Sequence, residues 1–181
     1  MGSTFHRWLC STSPSTCSRC KKSTLDAEAL GRSRGGLSTK IHVRVDGKGQ
    51  IITFLLTPGQ QHEISVAEQL MEQGAIHQKV GRPRIRPKRI VGDKGYTSAN
   101  FRTYLRKRGI QSTIARRSNE KRPGSFNKEL YCHRNKVERL IGRVKEFRRI
   151  ATRYEKRALN YAAMLTIAAI FLWSQGFAYT P

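Results

Sequence analysis

The stretch LSTKIHVRVDGKGQIITFLL, residues 37–56, constrains the fold more than any other part of the chain. Ile41, Val43 and Val45 alternate with His42 and Arg44, the period-two pattern of a strand with one covered face. Asp46-Gly47 follows, a dipeptide suited to the tight turn of a hairpin, so the next run is expected to fold back beside the first. That second run, Ile51 to Leu56, is more continuously apolar and reads as a central strand.

Helix and strand signals alternate beyond the hairpin. Ile64, Ala67, Leu70 and Met71 have helical spacing, with Gly74 near the end of that helix. A strand is expected to end at Ile90-Val91-Gly92-Asp93. Thr97 or Ser98 caps a helix on which Phe101, Tyr104 and Leu105 share a face, and Gly109 stops it. Ile110 to Ile114 reads as a short strand, and a single long helix is expected from about Asn127 to Ile150. The order describes an α/β layer structure. The final apolar run, Tyr161 to Trp173, is shorter than the roughly 20 residues a bilayer span needs, so it is expected to be a buried core helix, with no membrane partner. Phe147, Tyr154, Phe171 and Trp173 are expected in the core rather than as stacking platforms for bases.

A length of 181 residues suits one domain. Residues 1–30, rich in Ser, Thr and Cys, are expected to be poorly ordered, leaving the folded domain over 31–181. No signal peptide is visible, because His6 and Arg7 stand where an apolar block would begin. His6, Cys10, Cys17 and Cys20 include one zinc-like pair spacing, Cys17-Ser-Arg-Cys20, but no second pair, so they read as reduced thiols.

Charge narrows the function. Lys plus Arg number 35 against 12 Asp plus Glu, a formal net charge of +23. Such an excess points to a polyanion, nucleic acid before an anionic membrane surface. Arg32 and Arg34 lie in GRSRGG, residues 31–36, where the glycines permit close approach to phosphate; GRPRIRPKRI, residues 81–90, and residues 116–126 are further basic stretches.

Within YCHRNKVERLIGRVK, residues 131–145, one acid stands among cations. On a continuous helix with Tyr131 at zero, Arg134, Glu138 and Lys145 fall within an arc of about 60°, beside the apolar face of Val137, Leu140, Ile141 and Val144. Glu138 is then either a solvated partner of basic neighbours at i,i+4 or a group aimed into a cleft. A second acid, Asp93, follows a strand, and the carboxyl ends of strands in α/β sheets are where ligands bind. Acids converging on a basic surface suit phosphodiester chemistry, in which hard oxygen ligands hold divalent metal.

The spacing Tyr131-x2-Arg134-x3-Glu138-x6-Lys145 resembles the signature of bacterial insertion-sequence DDE transposases. GRSRGGLSTKIHVRVDGKG, FLLTPGQQHE, VGDKGY and FRRIATRYEK are similar to segments of that family in the same order, so the resemblance runs over about residues 23–175. It implies an RNase H-like catalytic fold whose acid triad binds two Mg²⁺ or Mn²⁺, with Asp93 and Glu138 as the second and third acids. Arg134 and Lys145 would contact phosphates, with Tyr131 nearby. The implied partner is double-stranded DNA, namely terminal inverted repeats and target DNA, in a cytoplasmic, nucleoid-associated setting. Pairing with itself or with a full-length transposase is also implied.

The chain departs from the pattern at its start. The family's first acid heads an Asp-Ser-Thr motif at the end of the first strand, and here Gly2 precedes Ser3-Thr4. No replacement is found, since Asp26 lies in a connector and Asp46 in the hairpin turn. The expectation is therefore an N-terminally truncated domain, lacking the usual first strand and inactive or nearly so. The alternative is a non-catalytic basic DNA-binding protein or an inhibitor of full-length transposase; a ribosomal-type RNA binder fits the charge but not the Tyr, Arg, Glu, Lys spacing.

Overall fold

The computed structural model describes residues 3–11 (as backbone), 27–33, 36–74, 80, 87–116 and 126–178. Six strands are present: β1 Ser3–Ser11, β2 Gly31–Ser33, β3 Gly36–Val45, β4 Ile51–Pro58, β5 Arg89–Gly92 and β6 Gln111–Ile114. Helices α1 Ala67–Gln73 and α2 Ala99–Lys107 flank β5 in sequence; α3 Lys128–Cys132, α4 Asn135–Glu146, α5 Arg148–Ala151 and α6 Ala158–Ala178 follow β6. The strand order is β2-β3-β1-β5-β6, with β4 also paired to β3.

Two expectations about the sheet are corrected. A strand occupies the place thought empty: β1 runs parallel to β5, with Ser3 opposite Ile90 and Thr4 opposite Val91, and stands between β3 and β5. Thr4, Phe5, Trp8 and Leu9 favour strands, but His6 and Arg7 break the apolar run that would have announced it. The hairpin roles are also reversed, since the alternating strand β3 is internal and, among the described residues, the apolar strand β4 pairs with β3 alone. Every residue of β3 from Ser38 to Val45 is buried, so its polar alternates point into the protein rather than to water. They survive there through hydrogen bonds. His42 Nε2 meets Thr57 Oγ1 at 2.9 Å, Lys40 Nζ donates to the Gln61 carbonyl, and Arg44 donates to the Met71 carbonyl at 2.8 Å. Burial pushes the Arg44 guanidinium below its ordinary pKa.

The chain divides into two compact units, one of residues 1–7, 43–54 and 62–139, the other of residues 8–42, 55–61 and 140–181. In the first, β5 and β6 are parallel, with Arg89 opposite Gln111 and Gly92 opposite Ile114. The crossover between them is α2, which buries Phe101 and Leu105. Arg102 on α2 donates to Thr97 Oγ1 at 2.9 Å and to the Ile114 carbonyl at 3.2 Å, tying the helix to the end of β6. Gly109, at φ +68°, supplies the left-handed residue on which this helix ends.

The expected long helix over 127–150 is three pieces. Asn127 caps α3, its Oδ1 accepting from Leu130 N at 2.9 Å. The ladder then tightens to i→i+3 bonds, Arg134 N to Tyr131 O at 3.0 Å and Lys136 N to His133 O at 3.1 Å, before α4 resumes. A second break precedes α5, for which Phe147 is the extended N-cap. Neither break has a proline or glycine to announce it.

In the second unit, Arg153 is buried and gathers four acceptors. It donates to Thr39 Oγ1 at 2.6 Å and to the carbonyls of Glu155 at 2.8 Å, Lys156 at 3.0 Å and Ala29 at 3.4 Å. Helix α6 packs there through one stripe, Tyr161, Leu165, Ala168 and Leu172, at alternating spacings of four and three. The buried core helix expected from the sequence is thus half right at most: Leu159, Ile167, Ile170, Phe171 and Trp173 are exposed. Tyr154 is exposed as well, so only Phe147 of the four aromatics assigned to the core is sheltered, against the Phe171 ring at 5.8 Å. By length and composition Ala158–Gln175 is also apolar enough to cross a bilayer. Residues 12–26, 34–35, 81–86 and 117–125 lie outside the described residues; with them go the side chains of the His6, Cys10, Cys17 and Cys20 group, Arg34 and most of two basic stretches, while Gly2 is also outside.

Candidate metal and nucleic-acid site

Asp93 leaves β5 in an extended conformation, φ −75° and ψ 164°, and caps a single 3-10 turn over Lys94–Tyr96. Its Oδ1 accepts the Lys94 amide at 2.7 Å. One bond to a neutral donor fixes the side-chain direction and leaves the second oxygen available for a cation.

Glu138 lies in the first turn of α4. Val137, Leu140 and Val144 are buried and anchor that helix, while Glu138 itself is 47% exposed. Its Oε1 meets Arg134 Nη2 at 2.7 Å, the i,i+4 pair that helix spacing allows. This is the solvated-partner arrangement the sequence allowed, and a pair this exposed is worth only about 0.3–0.5 kcal/mol.

Tyr131 links the two acids. The tightened turn after α3 eclipses residues three apart, and Arg134 accordingly stands over the Tyr131 ring at 5.4 Å. Phe126 shelters the other side, ring to ring at 5.1 Å. Burial pushes the Tyr131 phenol above its ordinary value; Arg134 opposes this, and Asp93 and Glu138 both add to it. Among the described residues no third acid, His or Cys joins them in a metal-sized group.

Lys145 is exposed on α4, seven residues after Glu138 and hence on nearly the same helical face. Arg32 is exposed on β2 in the second unit, and Arg34 is outside the described residues. Sequence reasoning missed Lys136, whose Nζ donates to the Gly47 carbonyl at 2.8 Å and so ties the β3–β4 turn to the helix carrying Glu138. Eighty-nine residues separate the two, so no local pattern could have revealed the bond.

Comparison with known proteins identifies the family. Residues 11–173 match the family described as Transposase DDE domain. The chain is 31% identical over 142 residues to a Burkholderia cepacia protein named for the transposase of insertion sequence element IS402, covering 78% of this chain and 64% of that one. It is 23% identical over 141 residues to a Brucella ovis protein named for the transposase of IS6501, covering 76% of this chain and 98% of that one. Among solved structures, a piggyBac transposase in a synaptic complex with hairpin DNA is similar, with a TM-score of 0.54, 13% identity, and coverage of 96% of this chain and 47% of that one. The fold is RNase H-like, and the chain belongs to the transposase DDE domain family.

Proposed function

We propose that this domain binds double-stranded DNA and carries the metal-dependent phosphodiester cleavage and strand-transfer machinery of insertion-sequence transposition, with Asp93 and Glu138 as its acids. The observation that supports it is the match of residues 11–173 to the Transposase DDE domain, in a chain of net charge +23 that carries the Tyr131, Arg134, Glu138, Lys145 spacing. The donor set fits Mg²⁺ or Mn²⁺: both groups offer hard carboxylate oxygens on elements anchored by buried neighbours. Bound there, a divalent ion supplies Lewis-acid polarisation of the scissile phosphate and stabilises charge on the departing oxygen.

The chain's own residues position the DNA. Arg134 is held between Glu138 and the Tyr131 face, so its guanidinium is pre-oriented for a phosphate. Lys145, on the same face of α4, offers a second cation further along the strand. Arg32, exposed on β2, and Arg34 of the same glycine-rich sequence would offer further cations to the backbone. The substrates of this reading are terminal inverted repeats and target DNA, and it includes assembly with a second transposase chain.

With Gly2 where the family pattern has its first acid, we propose that catalysis by this chain is slow or absent while DNA binding persists. The test pairs two assays on terminal-repeat DNA in Mn²⁺, retention and strand cleavage. Salt-sensitive retention with cleavage near background is expected. Robust cleavage abolished by Asp93→Asn would overturn the impaired reading and keep the active site; retention by a chain that takes up no Mn²⁺ would favour a non-catalytic DNA-binding protein instead.

A further inference from the structure

The first unit also holds a cavity of about 700 Å³ whose wall includes Lys48, Lys88, Arg89, His133 and Lys136 but no acidic residue. Two of these cations are oriented by neutral acceptors. Lys136 donates to the Gly47 carbonyl at 2.8 Å, and Arg89 Nη2 to Gln111 Oε1 at 2.7 Å. Such bonds aim a charge without cancelling it, and among the described residues no carboxylate pairs with Lys48, Lys88, Arg89 or Lys136.

The chemistry of the wall selects its ligand. A divalent cation would find no carboxylate, and a neutral apolar molecule would leave the positive charges uncompensated. Val91 and Leu130 nevertheless contribute an apolar floor. An anion with an apolar flank fits both, and a sugar–phosphate backbone is such a group.

Position ties the cavity to the acids. Side chains alternate along an extended chain, so Arg89, Val91 and Asp93 face the same side of the sheet. At about 3.3 Å per residue, Arg89 lies roughly 13 Å from Asp93, the rise of about four base steps of a duplex. We propose that this cavity holds a backbone phosphate of the bound DNA, about four nucleotides from the phosphodiester at Asp93. The inference rests on reading the acid site as DNA-processing.

The test measures affinity for fluorescently labelled mixed-sequence duplex DNA across a range of KCl concentrations. Lys48→Ala/Lys88→Ala removes two exposed cavity cations, and thermal melts check that the fold is unchanged. Arg106→Ala/Lys107→Ala removes two exposed cations on α2 as a charge-matched control. The cavity variant is expected to lower the slope of log affinity against log salt by about 0.9 for each phosphate it no longer neutralises, and the control to keep the wild-type slope. A cavity variant with the wild-type slope, or a control that shifts as far, overturns this inference alone. Absence of DNA binding by the wild-type chain would overturn it together with the proposed function.

Discussion

Tyr131 reports the state of its surroundings without any need for turnover. Its phenol is raised chiefly by burial, with Asp93 and Glu138 adding and Arg134 subtracting. The neutral phenol is thus favoured in the folded protein, and that contribution to stability is complete below the ordinary tyrosine value of about 10 and fades as pH rises through the folded value. Alkaline titration followed by tyrosinate absorbance should show Tyr131 ionising late, assigned by its loss in Tyr131→Phe. Asp93→Asn and Glu138→Gln should each bring it down, and Arg134→Ala should send it higher. A Tyr131 titration unmoved by either acid would mean the two do not share its environment. Arg153 offers a second test at this scale, because a buried guanidinium serving four acceptors has no equal substitute. Arg153→Ala should destabilise by about 3 kcal/mol or more in urea melts, and Arg153→Lys should recover little, since an ammonium lacks the planar fork.

Helix α6 shows how far an element can be read from its text. Its apolar composition announced a helix, but with apolar residues all round, periodicity could not say which face would be covered. The structure selects Tyr161, Leu165, Ala168 and Leu172. Leu165→Ala should therefore cost about 2–5 kcal/mol in chemical denaturation, while Ile167→Ala, two positions on and exposed, should stay within about 0.5 kcal/mol. Equal costs would place the packed stripe elsewhere. The hairpin, the β5–α2–β6 crossover and the strand preceding Asp93 were legible because turn residues, caps and apolar spacing all agreed there. Strand β1 was not, because charged residues interrupt it, and the break at His133–Arg134 was not, because no residue type marks a ladder tightening to i→i+3. The fixed spacing of Tyr131, Arg134, Glu138 and Lys145 was legible as a sequence pattern, whereas the Lys136–Gly47 bond and the cation-lined cavity required the tertiary fold.

Over the whole molecule, positive charge and a small number of well-placed acids divide the work. The cations attract a polyanion without reading its sequence, so affinity for duplex DNA should fall linearly with log salt whatever the sequence offered. On the proposed reading the acids hold metal. Mn²⁺ binding to the full chain in the presence of duplex DNA, followed by electron paramagnetic resonance of the free ion, tests the pairing of Asp93 with Glu138 most directly. The account predicts that the wild-type chain withdraws Mn²⁺ from solution and that Asp93→Asn and Glu138→Gln each weaken this at least tenfold, roughly 1.4 kcal/mol, while DNA retention is unchanged. Uptake that is identical in all three proteins, or lost in only one variant, would contradict a cation held jointly by the two carboxylates.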